Sequence, residues 1–124
     1  MSHRVWIAIA LLAFTYSLWP SLPASAGYGV IAWDKDTGKY GVSWNQQTPK
    51  RAEKVALGEC GTSGCKIVQK ITPKTCGALA MTADGKHVGA ARRKDRAEAR
   101  VAALDNCKKD NAGECVIRAD DCNR

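Results

Sequence analysis

The feature that most restricts the fold is an internal duplication. Residues 29–33 (Gly-Val-Ile-Ala-Trp) match 77–81 (Gly-Ala-Leu-Ala-Met), and Gly38-Lys39 matches Gly85-Lys86. Further matches, at a constant offset of 47, pair Thr48, Ala52, Ala56, Leu57 and Cys60 with Asp95, Ala99, Ala103, Leu104 and Cys107. Chance similarity between two alanine-rich helices does not reproduce glycines, helix caps and cysteines in the same order. The chain is therefore predicted to contain two copies of one unit, at about 28–75 and 76–124.

Each copy has the same order of predicted elements. Residues 28–33 and 39–44 are rich in strand-forming side chains and flank a turn-forming segment, which predicts a hairpin. Thr48-Pro49 is typical of a helix start, the helix ends at Cys60-Gly61, and another strand covers 65–71. The second copy has strands near 77–82, 86–91 and 115–119, with a helix that begins at Asp95. The sequence thus predicts an α+β fold of tandem ββαβ repeats, with an antiparallel sheet, two helices on one face of it, and disulfides that stabilise it.

Residues 1–26 have the three-part layout of a signal peptide. His3 and Arg4 form a basic start, residues 5–18 are almost wholly apolar, and 24–26 (Ala-Ser-Ala) are a small-residue cleavage site. The apolar run is shorter than the roughly 20 residues that span a bilayer, which makes an uncleaved anchor the weaker alternative. Cleavage is expected to leave a single secreted or periplasmic domain, 27–124, with no membrane span.

The six cysteines all lie within 27–124. An even number in a short exported chain is typical of disulfides, and one histidine without any C-x-x-C pair argues against a zinc site. In each copy one cysteine closes the helix and the next opens the following strand. Repeat symmetry alone selects one of fifteen connectivities. The predicted bridges are Cys60–Cys65, Cys107–Cys115 and Cys76–Cys122.

The same residues resemble a family of bacterial exported proteins, known as a domain of unknown function (DUF4189). The resemblance is carried by 28–34, 41–44, 51–60, 65–68, 76–80 and 96–104, and so covers nearly all of 27–124. It implies a small secreted protein, and it brings no activity and no catalytic residues to carry over. The second hairpin departs from the family pattern, because Met81, His87 and Ala91 stand where aromatic residues are expected.

No catalytic constellation can be read from the sequence. His87 is the only imidazole of 27–124, and neither a nucleophile nor an orienting group can be placed beside it. A small hydrolase that uses His87 is therefore the alternative function. The Asp-x-Asp-x-Gly pattern at 34–38 predicts a turn rather than a calcium loop, because Asn45 occupies the position where a bidentate Glu is needed. The sequence predicts no catalytic residue, cofactor or metal.

Basic side chains gather around the start of the second helix. The candidate anion-binding site consists of Arg92, Arg93, Arg96 and Arg100, with Lys94 among them. Cations near a helix N-terminus oppose the helix dipole, so helix stability does not explain their position. A basic cluster beside free helix amides can instead bind an anion. The alternative is a solvated face that serves solubility, because Asp95 and Glu98 interrupt the run. No aromatic stacking motif accompanies the arginines, so a specific nucleic-acid site is not expected.

Aromatic side chains crowd the first hairpin only. The candidate contact residues are Tyr28, Trp33, Tyr40 and Trp44, since Tyr and Trp are enriched at binding hot spots. Packing in the core is the alternative explanation for these side chains. Together these features favour a small secreted or periplasmic interaction module for an unidentified protein or anionic partner. A purely structural role in the envelope stays open beside it.

Overall fold

The computed structural model describes residues 27–109 and 113–124. Six strands and two helices alternate in the order β-β-α-β-β-β-α-β. Their bounds are β1 Tyr28–Trp33, β2 Tyr40–Gln46, α1 Pro49–Cys60, β3 Lys66–Ile71, β4 Cys76–Thr82, β5 Val88–Arg93, α2 Arg96–Lys108 and β6 Cys115–Cys122. The predicted signal peptide, 1–26, lies outside the described residues.

The α+β fold and its tandem ββαβ plan are confirmed. Each unit forms its own three-stranded antiparallel sheet, in the order β2-β1-β3 for the first unit and β5-β4-β6 for the second. The expectation of one sheet with both helices on the same face is wrong in this detail. The strands pair only within their unit, so each sheet has its own helix, and the remaining faces of the two sheets pack against each other.

The central strands explain this layering. In β1, Val30 and Ala32 point toward α1, while Ile31 points toward the second sheet. Every residue of β4 is buried, so this strand is also covered on both faces. Two sheets between two helices are the arrangement that removes both apolar faces of each central strand from water.

The core between the sheets contains the largest buried side chains. Ile31 and Ile71 of the first sheet meet Leu79 and Met81 of the second, and Trp33 and Trp44 pack at the edge of this cluster. Under the helices the contact is mostly alanine with cystine sulfur. Small side chains let each helix lie close to its sheet.

Local signals place the helices where the sequence predicts them. The Thr48 side chain accepts a hydrogen bond from the Arg51 amide at 3.1 Å, and the Asp95 side chain accepts one from the Glu98 amide at 3.0 Å. These N-caps satisfy amides that have no partner within the helix. Gly61 ends α1 in the left-handed conformation, at φ 79°.

Three disulfides join the pairs that repeat symmetry predicts. Cys60–Cys65 and Cys107–Cys115 each tie the end of a helix to the strand that follows it. Cys76–Cys122 joins neighbouring strands of the second sheet. The described residues contain no free cysteine.

Candidate anion-binding surface

The connections between elements lie at two opposite ends of the pair of packed sheets, which we call the sandwich. Strands β1 and β4 begin at one end, where both helix N-caps and the β3–β4 connection also lie. We call this the N-cap end. The two hairpin turns, 34–39 and 83–87, lie at the opposite turn end, where Gly38 and Gly85 are in backbone contact.

The positive excess lies at the N-cap end. Its basic side chains come from the first turns of both helices, the ends of β3 and β5, the β3–β4 and β5–α2 connections, and the last residue. They are Lys50, Arg51, Lys54, Lys70, Lys74, Arg92, Arg93, Lys94, Arg96, Arg100 and Arg124. The acidic side chains of this end are Glu53, Asp95, Glu98, Asp120 and Asp121. At the turn end the described charges nearly cancel, so the positive field of the molecule originates mainly from the N-cap end.

Two of the four predicted arginines share one carboxylate within the fold. Arg96 Nη2 lies 2.9 Å from Asp120 Oδ1, and Arg100 Nε lies 3.1 Å from Asp120 Oδ2. The hydrogen bond from Arg96 to Asp120 and the charge of that carboxylate raise the pKa of Arg96. Both oxygens of Asp120 are thus occupied, and Arg96 and Arg100 serve an ion pair within the second unit.

The other two arginines are exposed and form no ion pair within the described residues. Arg92 and Arg93 end β5, and Arg93 Nη1 donates to the Arg92 carbonyl at 2.7 Å. Lys94 follows them in the chain. Lys74 lies nearby, because β4 begins two residues later and its Cys76 pairs with Arg93. These four exposed cations form a positive cluster at the N-cap end.

The N-cap end gains a second group of cations from the first unit. Lys50, Arg51 and Lys54 are exposed on α1, and Arg51 Nε donates to Gln46 Oε1 at 3.3 Å. Lys70 on β3 lies 3.3 Å from Glu53 on α1. This pair is the counterpart of Arg100–Asp120 with the charges exchanged between strand and helix.

Sequence reasoning missed Lys70 and Lys74 as members of the basic surface. They are distant in sequence from the arginines: Lys70 lies on β3, and Lys74 lies in the β3–β4 connection. The ββαβ order of each unit did indicate their position, because the last strand of such a unit ends beside the start of its helix. Recognising it required the strand pairing of Val30 with Lys70 and of Ala78 with Asp120.

The turn end holds two carboxylates with structural partners. Asp34 is buried, accepting from Thr62 Oγ1 at 2.5 Å and from the Asp36 amide at 2.9 Å. The hydrogen bond from Thr62, followed by that from Asp36, lowers the pKa of Asp34. Asp84 accepts from Thr82 Oγ1 at 2.7 Å and from the Lys86 amide at 3.0 Å, and the Thr82 bond is the main cause of its lowered pKa. Both carboxylates brace hairpin turns, as the turn interpretation of 34–38 predicts.

His87 lies exposed in the second turn. Its amide donates to Thr82 Oγ1 at 3.3 Å, so the residue is held through its backbone. Among residues 27–109 and 113–124 the imidazole has no hydrogen-bonding partner. The same residues contain no group of His, Cys, Asp and Glu that could hold a metal ion.

The four candidate aromatic residues do not form one exposed patch. Tyr28 packs against the core beneath α1, and Trp33 and Trp44 pack against the core between the sheets. Trp33 Nε1 donates to the Gly85 carbonyl at 2.7 Å, which joins the two units at the turn end. Tyr40 is the most exposed of the four, at 36%. Core packing and a bond between the units account for the other three.

Comparison with known families identifies the chain. Residues 28–122 match the model described as "Domain of unknown function (DUF4189)". The chain belongs to the DUF4189 family. The match includes both sheets, both helices and the six cysteines.

The DUF4189 chain is similar to two mycobacterial proteins. It is 46% identical over 59 residues to "Uncharacterized protein Rv1813c" of Mycobacterium tuberculosis, a match that covers 48% of this chain and 39% of the relative. It is 42% identical over 53 residues to "Protein Rv1269c" of the same species, covering 43% and 40%. The matches thus span about two fifths of the length of these curated relatives.

A solved structure shares the DUF4189 fold. The NMR structure of Rv1813c from Mycobacterium tuberculosis superimposes with a TM-score of 0.60 at 27% identity, covering 99% of this chain and 97% of the other. Three disulfides indicate that the DUF4189 chain works outside the cytoplasm. In the part of the chain with described coordinates, no helix is long and apolar enough to cross a membrane.

Proposed function

We propose that this protein is a secreted or periplasmic interaction module that binds an anionic partner through its N-cap end. The observation that carries the proposal is the segregation of charge, since the positive excess lies at one end and the turn end is almost neutral. A charge distribution that served solubility alone needs no such asymmetry.

The exposed cluster Lys74, Arg92, Arg93 and Lys94 is the centre of the surface. None of these four side chains forms an ion pair within the described residues. Arg96 and Arg100 contribute less, because the carboxylate that they share, Asp120, offsets one of their two positive charges. The surface therefore lies beside the start of α2 and extends toward the β3–β4 connection, rather than over the helix itself.

The hydrolase alternative draws no support from the geometry around His87. General acid–base catalysis needs a positioned partner for the imidazole, and the nearest hydrogen bonds of this residue involve its backbone. Binding is the function that the described surface supports best.

The test compares two variants that lose the same charge. The N-cap-end variant carries Lys74→Gln, Arg92→Gln, Arg93→Gln and Lys94→Gln; the turn-end variant carries Lys35→Gln, Lys39→Gln, Lys66→Gln and Lys86→Gln. All eight side chains are exposed, so both variants should fold. We expect the N-cap-end variant to elute from immobilised heparin at clearly lower salt than the wild type, with the turn-end variant close to the wild type. Equal losses in the two variants would show that only net charge matters.

A further inference from the structure

We infer that the partner of the N-cap end is an anionic phospholipid surface, and that this end faces the bilayer. The inference rests on the proposed function and adds the class of partner. It draws on an observation that the charges alone do not provide, namely where the chain enters the fold.

The chain enters the fold within the basic surface. Gly27 is buried at the N-cap end, where its amide donates to the Arg124 carbonyl at 3.3 Å. Lys74 donates its amide to the same carbonyl at 3.2 Å. Whatever precedes Gly27 therefore leaves the fold through the same end as the exposed cations.

The preceding segment ties this end to a membrane during export. The apolar run 5–18 belongs to the predicted signal peptide, and eight residues, 19–26, separate it from Gly27. Fully extended, eight residues reach at most about 28 Å. While the apolar run is in the bilayer, Gly27 and the N-cap end around it stay within that distance of the headgroups.

The arrangement of the cations suits a surface better than a nucleic-acid strand. They come from three separate segments at the end where the chain enters the fold, namely the start of α1, the β3–β4 connection and the β5–α2 connection. The aromatic residues of this end, Tyr28 and Trp44, are partly buried in the cores, which leaves them unsuited to stack on bases. Exposed Lys and Arg near anionic headgroups each add attraction that decays over about one Debye length, roughly 10 Å at 0.1 M salt. After cleavage, these charges would keep the same end on the membrane.

The experiment uses the protein recovered from the extracytoplasmic fraction after expression of the full chain. It is co-sedimented with vesicles of phosphatidylcholine alone and with vesicles that also contain phosphatidylglycerol. We expect salt-sensitive binding to the phosphatidylglycerol vesicles only. The N-cap-end variant should bind at least about tenfold more weakly, and the turn-end variant should bind like the wild type.

Lysine acetylation on the vesicles, read by peptide mass spectrometry, gives the orientation. We expect Lys50, Lys74 and Lys94 to be protected and Lys35, Lys39 and Lys86 to stay reactive. Heparin or duplex DNA binding through the N-cap end, without vesicle binding, would overturn the membrane inference and leave the proposed function standing. Uniform protection of all lysines would also overturn it. If neither variant loses binding to heparin or to vesicles, both the membrane inference and the proposed function are wrong.

Discussion

At the scale of single residues, two glycines decide how closely the helices approach the sheets. A Cβ atom at Gly41 would lie 2.0 Å from the Ala56 carbonyl oxygen, and one at Gly89 would lie 2.1 Å from the Ala103 carbonyl oxygen. The two glycines occupy equivalent positions on β2 and β5. Each unit therefore depends on direct contact between helix backbone and strand backbone, which any side chain at these positions would prevent.

We expect Gly89→Ala to lower the free energy of unfolding by about 1–3 kcal/mol or more, because the added methyl group overlaps backbone atoms that cannot move independently. Gly58→Ala is the matched control. No atom lies within 4 Å of a Cβ at Gly58, which is exposed in α1, and alanine there should stabilise the helix by about 0.5–1 kcal/mol. Urea unfolding measures both, and equal effects would contradict the close-approach argument.

At the scale of elements, Asp34 joins two connections of the first unit. Its carboxylate accepts from Asp36 in the hairpin turn and from Thr62 in the loop closed by the Cys60–Cys65 disulfide. Thr62 Oγ1 also lies 3.0 Å from Cys65 Sγ. The turn and the disulfide loop are thus held together by one buried carboxylate.

This carboxylate should make stability sensitive to acid. Because the pKa of Asp34 is lowered in the fold from its ordinary value of 3.8, its contribution is complete above that value and is lost as the pH falls through the lower, folded value. We expect Asp34→Asn to be less stable than the wild type at pH 7, with the difference shrinking below about pH 4. Thermal unfolding across pH 2–7 checks this, with the exposed Asp36→Asn as control. A stability difference that is the same at every pH would contradict it. Asp84, which is held in the same way, should leave some acid sensitivity in both variants.

Most elements could be predicted from the sequence because their signals are local. The helix caps at Thr48 and Asp95 and the C-terminal Gly61 each act within a few residues. The cysteine pairing could be predicted because the two units place their cysteines at equivalent positions. The second sheet could not be predicted in the same way, because it depends on which strands pair. Residues 77–81 did hold a signal, since a wholly apolar strand needs cover on both faces. The basic surface was found only in part, because Lys70 and Lys74 join it through strand register.

At the scale of the whole molecule, Asn123 connects the two units. Its Oδ1 accepts from the Asn45 amide at 2.9 Å, and its Nδ2 donates to the Ile71 and Thr72 carbonyls at 3.0 and 3.3 Å. The side chain is buried, at 6% exposure. With the Trp33–Gly85 bond at the turn end, polar contacts hold the sandwich at both ends and apolar contacts fill the middle.

We expect Asn123→Ala to lower the free energy of unfolding by about 1–3 kcal/mol, because it leaves buried backbone groups without partners. Asn106→Ala is the comparison, since Asn106 forms one bond, to the Ala90 carbonyl, within the second unit. Hydrogen exchange should become faster in Asn123→Ala at the Asn45 amide, which loses its acceptor, and should be unchanged there in Asn106→Ala. If the Asn45 amide keeps its protection in Asn123→Ala, the Asn123 side chain does not stabilise the contact between the units.

The two strand–helix ion pairs have their charges exchanged between the units, and this affects which last strand joins which sheet. Two units of one plan could trade their last strands, with β3 adding to the second sheet and β6 to the first. Such a trade would place Lys70 against Arg100 and Asp120 against Glu53, so both contacts would join like charges. The native arrangement places Lys70 with Glu53 and Asp120 with Arg100. The reversal therefore favours the pairing of each last strand with its own helix and disfavours exchange of the last strands between the first and the second unit.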